Sequence, residues 1–196
     1  MTIPLPFPPA PRARANLSAG ALYAVDGGDS FVYYGQVAAN KQVGFFRFRS
    51  KIVSVSEALS AELMCRVGVS YPSIGRALRA GVWISLGRHE LRSELIEEPV
   101  LVQWPVGTLE VSLWKGPAVI GKTEVHDPEI QHLEIISAFD ATFHVPPRLR
   151  AEFKSAQDAR AGGGRVWHAR RMKEELAARH PELPWHKLPI GWGPVQ

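Results

Sequence analysis

Thirty residues near the start of the chain leave little freedom in how it can fold. Three β-prone runs, at 21–25, 30–38 and 43–49, follow one another with only Asp26-Gly27-Gly28-Asp29 and a second short turn around Asn40 between them. Aromatic and β-branched side chains suit a pleated, half-buried surface. Connections this short can only join neighbouring antiparallel strands, because a parallel crossover needs a dozen residues or more. Asp26-Gly27 is itself a strong hairpin signal. In the third run Phe46 and Phe48 alternate against Phe45, Arg47 and Arg49. These residues predict a three-stranded antiparallel meander.

Beyond position 50 the signals are weaker. Ser56 can cap a short helix over 57–64, while 64–69 reads equally well as a strand. Pro72 and Gly75 are read as breaking any regular element after 69. Strands are expected at 82–86, at 100–104 and 109–115 around Pro105-Val106-Gly107, at 119–125 and at 133–138. A helical turn is expected at 91–96, stopped before Pro99. A helix can begin at 148–158, Ala161-Gly162-Gly163-Gly164 is a flexible break, and 165–180 is helical until Pro181. Its apolar stripe is narrow. The 16 prolines and 17 glycines agree with many turns and few long helices. The expected fold is mainly β, a β-rich α+β class: a curved antiparallel meander or partly open small barrel with short helices and a C-terminal helix. Three parts are expected: a Pro-rich extended arm at 1–17, a β-rich domain at 18–147, and a basic helical extension and tail at 148–196.

Composition narrows the class of function. With 45% hydrophobic and 21% charged residues, the chain can bury a core and is not disordered throughout. No apolar run approaches the roughly 20 residues that cross a bilayer, so no membrane association is expected. The opening residues lack a charged segment followed by an apolar one, so the expectation is a cytoplasmic protein. Cys65 is the only cysteine, which excludes an internal disulfide and a cysteine-based zinc site. Residues 1–149 hold 14 basic and 14 acidic side chains, and 150–196 hold 9 and 5. The net charge of +4 therefore belongs to the last quarter of the sequence.

Candidate chemistry is sparse. Glu90, Glu94 and Glu97 would share one face of a helix at i, i+4 and i+7. Paired carboxylates can do acid–base work or hold a metal, but a solvated helix face looks the same, and the plainer reading is preferred. The segment can also complement a basic protein partner. His126 and His132, with Glu129 and Glu134, mix metal-ligand types at a spacing that matches no zinc pattern. No metal, cofactor or catalytic set is expected: neither a nucleophile elbow nor a phosphate-binding glycine loop is present. Tyr33-Tyr34 and the Phe45–Arg49 run place aromatic beside basic residues, as nucleic-acid-binding barrels do, though half of those rings should face a core. Arg165, Arg170, Arg171, Lys173 and Arg179 could touch phosphate, but Glu174 and Glu175 interrupt them. Trp185 and Trp192 are expected to dock on the protein's own core.

Three features in order carry a family resemblance: the stretch LYAVDGGDSFVYYGQV, the FFRFR strand, and VWISLG followed by Glu97-Glu98-Pro99 and a hydrophobic strand at 100–104. Over roughly 18–145 the chain resembles the immunity protein 26 family of bacterial polymorphic toxin systems. That resemblance implies a cytoplasmic protein that binds and neutralises a cognate toxin without chemistry of its own. The positions matching the pattern are Tyr34, Gly35, Val37, Trp83, Leu86 and Gly87, expected to be structural. The expected partner-binding residues are Asp26, Asp29, Glu90, Glu94, Glu97 and Glu98. The alternative is a nucleic-acid-binding β-barrel module using its basic C-terminal helix.

Overall fold

A computed structural model describes residues 5–154 and 164–195. Most of the glycine break at 161–164, the end of the helix expected at 148–158, and the first four residues of the arm lie outside the described residues. The chain divides into two compact units, Met1–Glu98 with Ala138–Ala159, and Pro99–Ser137 with Arg160–Gln196. Both units are assembled from segments distant in sequence. The class is β-rich α+β, with two mostly antiparallel sheets and a C-terminal helix.

In the first unit, β1 (Ala21–Asp26), β2 (Val32–Val37), β3 (Val43–Ser50) and β4 (Leu63–Val67) form an antiparallel meander, and β5 (Trp83–Arg88) adds beside β1. The end strands β4 and β5 do not pair with each other, so the sheet stays open. Alternating residues serve two cores. Tyr23, Val25, Tyr33, Phe45 and Trp83 face one side, packed with Phe139, Val145 and Leu149. Leu22, Ala24, Tyr34 and Phe46 face the other, packed with Phe7 and with Ala58 of α1 (Val55–Ser60). With both faces covered, β2 and the first half of β3 are buried on both sides instead of alternating.

Two expectations change here. Residues 71–79 are a helix, α2 (Tyr71–Arg79), not a break. Pro72 lies in its first turn, where the missing N–H is not needed. The Pro-rich arm is anchored to the first unit. Phe7 is buried, and its N–H donates to Gly81 O at 3.1 Å. Gly81 sits at φ +74°, and a side chain there would collide with Phe7 O. Pro146-Pro147, at the expected end of the β-rich domain over 18–147, opens α3 (Val145–Lys154) for the same reason as Pro72 opens α2.

The second unit holds a four-stranded sheet in the order β8 (Ala118–Glu124), β7 (Glu110–Lys115), β6 (Val100–Gln103), β9 (Glu134–Ile135), the last pairing parallel to β6. Val166 at the start of α4 (Val166–Arg179) packs with Val102, Val111, Val125 and Ile130. Trp192 docks as expected, stacked on Trp104 with ring centroids 5.8 Å apart. Trp185 does not; it is 71% exposed. Among the described residues no helix is long and apolar enough to cross a membrane.

Candidate functional site

The segment 89–98 is a strap, not a regular helix. Only Ser93–Leu95 make a single 3-10 turn, so the expected stripe of Glu90, Glu94 and Glu97 on one helix face is not formed. The strap lies against the second face of the five-stranded sheet, and four side chains fasten it there. Gln36, fully buried on β2, donates to Glu90 O at 2.8 Å and accepts from Arg92 N at 3.1 Å. Leu95 is fully buried over Gly44, where any Cβ would meet its side chain at 2.3 Å. Arg66 of β4 donates to the carbonyls of Glu97 and Glu94 at 2.6 and 3.2 Å. Asn40 reaches Glu98 at 2.9 Å.

Arg92 ties the strap to α1. Its guanidinium donates to the carbonyls of Leu59 and Ala61 at 2.6 and 2.8 Å, satisfying groups that a helix end leaves open. The other side of the same fork grips Glu94 at 2.5 Å. That hydrogen bond, helped by Ser93, holds the Glu94 carboxyl down to about 2. Burial lowers the Arg66 guanidinium, against the opposing pull of Glu98.

What remains outward is a fixed acidic surface. Glu90, Glu94, Glu97 and Glu98 are exposed, and Ile96 among them is 57% exposed. The side chains of Glu90 and Glu97 have no hydrogen bond or ion pair among the described residues. An open cleft of about 610 Å³ beside the strap is lined by Leu59, His89, Glu90, Leu91, Ser93 and Ile96. Carboxylates carried on a fastened backbone around an aliphatic side chain can dock a basic protein surface without the cost of ordering the strap itself.

The other two acids from the sequence lie elsewhere. Asp26 and Asp29 sit in the β1–β2 turn, whereas Gln36 is near the far end of β2, about 13 Å along the strand. Both are engaged in the turn. Asp26 accepts from Gly28 N at 2.8 Å. Asp29 accepts from the Tyr33 hydroxyl at 2.9 Å and pairs with Arg49 at 3.4 Å, and Arg49 lies over Phe31 at 4.2 Å. Burial pushes the Tyr33 hydroxyl up to about 12. The six acids therefore do not make one surface.

The positions of the family pattern sit in or beside the core. Gly35 leaves room for Phe45 and Val43, whose side chains a Cβ would meet at 2.7 Å. Gly87 has open space and a φ of +87°, and it lies in β5 where the pairing with β1 shifts register. Val37 and Trp83 are fully buried, and Leu86 packs at the edge of the second core. The Tyr34 hydroxyl accepts from Ser54 N at 2.8 Å, ordering the chain after β3.

The remaining candidates disperse. His126 pairs with Glu124 at 2.8 Å, and His132 is exposed before β9. No three His, Cys, Asp or Glu side chains gather as a metal would need, among the described residues. Arg170, one of the basic residues that could touch phosphate, is only 5% exposed, and donates to Gln131 and to Gly193 O at 2.8 and 2.5 Å. Lys173 lies 4.3 Å above the Trp104 ring, and burial lowers its amine. The excess charge is also placed differently from its place in the sequence. Described residues of the first unit hold 14 basic and 10 acidic side chains, and those of the second hold 8 and 8.

Sequence reasoning missed Gln36, Arg66 and Arg92. The one available signal was an amide inside an otherwise apolar strand, VYYGQV. No protein-family model, curated protein or solved structure matches the chain.

Proposed function

We propose that the chain is a cytoplasmic, immunity-type binding protein that neutralises a cognate bacterial toxin by occupying a basic surface on it, with no chemistry of its own. One observation carries the reading: the strap 89–98 is fastened through its backbone by Gln36 and Arg66, while four glutamates and Ile96 stay outward. A surface fixed before binding avoids the entropy of ordering a loop in the complex. Long-range attraction from the glutamates would speed encounter with a basic partner. The resemblance in Tyr34, Gly35, Val37, Trp83, Leu86 and Gly87 points the same way. The neutral balance among the described residues of the second unit lends no weight to a nucleic-acid module built on α4.

The test is capture of the tagged chain from its own cells after nuclease treatment, with mass spectrometry of the retained proteins. The expected result is one large protein with a toxin-like C-terminal domain, encoded next door. Changing Glu90, Glu94, Glu97 and Glu98 together to Gln should then weaken binding of that protein about 100-fold, mainly through slower association. Unchanged affinity in this variant overturns the reading, and so does loss of all captured material on nuclease treatment.

A further inference from the structure

The strap is not the only charged feature of the first unit. An open groove of about 480 Å³ runs between the backbone of Arg14-Ala15 and α2, with Arg14 on one bank, Arg76 and Arg79 on the other, and exposed Tyr71 beside them. Three guanidinium groups there face a single carboxylate partner, Asp140, which pairs with Arg76 at 2.8 Å. Arg79 donates to the carbonyl of Ala13 at 3.3 Å, and Arg14 has no ion pair or hydrogen bond among the described residues. All three are arginines, whose planar forks match carboxylates two bonds at a time.

A second observation concerns the backbone. The N–H and C=O groups of Arg14 and Ala15 make no hydrogen bond among the described residues. Their neighbours do: Ala13 N–H donates to Ala10 O at 2.9 Å, and the amide and carbonyl of Asn16 both meet the Tyr23 hydroxyl, at 2.8 and 2.7 Å. A short stretch of open main chain is thus held in place from both ends. Gly75 keeps the floor clear, since a Cβ there would sit 3.9 Å from Ala15 N and 3.3 Å from Arg79 Nη1.

We propose that this groove docks an extended acidic segment of a partner polypeptide. Its carboxylates engage Arg14, Arg76 and Arg79, and its main chain pairs with the open groups of Arg14 and Ala15. A phosphate would use only the donors. A peptide backbone would also donate to the carbonyls on the same bank, which a phosphate cannot do. The charge balance agrees, because among the described residues the excess of basic side chains lies in this unit. Ile74, Ala77 and Leu78 of α2 pack on the first face of the five-stranded sheet, opposite the face that carries the strap. The groove and the strap are therefore separate surfaces, and either proposal can fail alone.

The test uses the full chain and a fluorescein-labelled short peptide of alternating Glu and Val, followed by anisotropy at low salt. Saturable binding is expected. It should fall about tenfold in the Arg14→Gln, Arg79→Gln double variant, and in Arg14→Glu alone, which leaves the Arg79–Ala13 contact intact. Thermal melts of these variants verify that they fold. The strap variant with four glutamines should bind the peptide no more weakly, and a peptide methylated on its backbone nitrogens should bind more weakly. The proposal is overturned by absence of saturable binding, by undiminished binding in folded arginine variants, or by equal binding of the methylated peptide. Tighter binding of oligothymidylate than of the peptide at the same salt also overturns it, and assigns the groove to nucleic-acid phosphate.

Discussion

Two strands of nearly equal length use β-structure in opposite ways. All six residues of β2 are buried, and none of the seven residues of β8 is. β2 lies inside a sheet covered on both faces, whereas β8 is an edge, paired with β7 alone. Each holds a β-branched or aromatic run that favours strands, so β-propensity located both of them without revealing their depth. Depth depends on what arrives from elsewhere in the chain. For β2 the covering elements come from the N-terminal arm, from α1, and from residues 139–149. The polar residue tolerated in β2, Gln36, is the one that fastens the strap.

The sharpest way to break this contrast is to open the sheet that contains β2. Trp83 is fully buried against Tyr23 and Phe45, and its indole N–H donates to Ala141 O at 3.0 Å. Trp83→Ala should cost about 3–5 kcal/mol in chemical denaturation, from the lost contacts and the cavity left behind. A cost below about 1 kcal/mol would mean that the site collapses freely, and that this sheet is not the better packed of the two.

Gln36→Leu asks whether the buried amide is what holds the strap. The change keeps the side chain's approximate volume but leaves Glu90 O and Arg92 N–H without their partner. A loss of about 1–3 kcal/mol is expected, with faster hydrogen exchange at the Arg92 amide. Exchange unchanged at Arg92 would show that Leu95 and Arg66 suffice.

These positions also mark how much could be read in advance. The meander over 21–50 was legible because short turns and aromatic runs are local signals. The strands at 82–86, 100–104 and 109–115 were legible for the same reason. α2 was hidden because Pro72 and Gly75 look like breakers until their helical positions are known. The arm was legible only as an extended Pro-rich segment, because nothing local says that Phe7 reaches a core. At the candidate site, the acids of 90–98 could be picked out by composition, but their fastening could not. It joins Gln36 to residues more than fifty positions away. Asp26 and Asp29 belonged to the same charge class, yet a β-strand separates them from the strap. The tail's basic excess failed as a guide because acids of 110–134 fold into the same unit as α4.

A smaller effect is expected from pH. The Arg92 fork holds Glu94 at about 2, below its ordinary 4.5, so the contact contributes stability above pH 4.5 and loses it as pH falls toward 2. The pair is partly exposed, so the gain is modest and screened by salt. Carboxyl NMR titration should find the Glu94 midpoint near 2, and Arg92→Gln should return it toward the ordinary range. A midpoint already at 4.5 in the unaltered chain would show that the clamp is not formed in solution.

The smallest effect belongs to β8. Ile120 is 54% exposed on the edge strand, so Ile120→Thr removes little buried apolar area and keeps a β-branched side chain. The expected change in unfolding free energy is within about 0.5 kcal/mol. Because the side chain faces water, the result should not depend on protein concentration. A loss near 2 kcal/mol would place Ile120 among buried residues, and the two strands would then differ in sequence more than in environment. Dependence of that loss on concentration would separate a covering second copy from a covering segment of the same chain, since only association between chains responds to mass action.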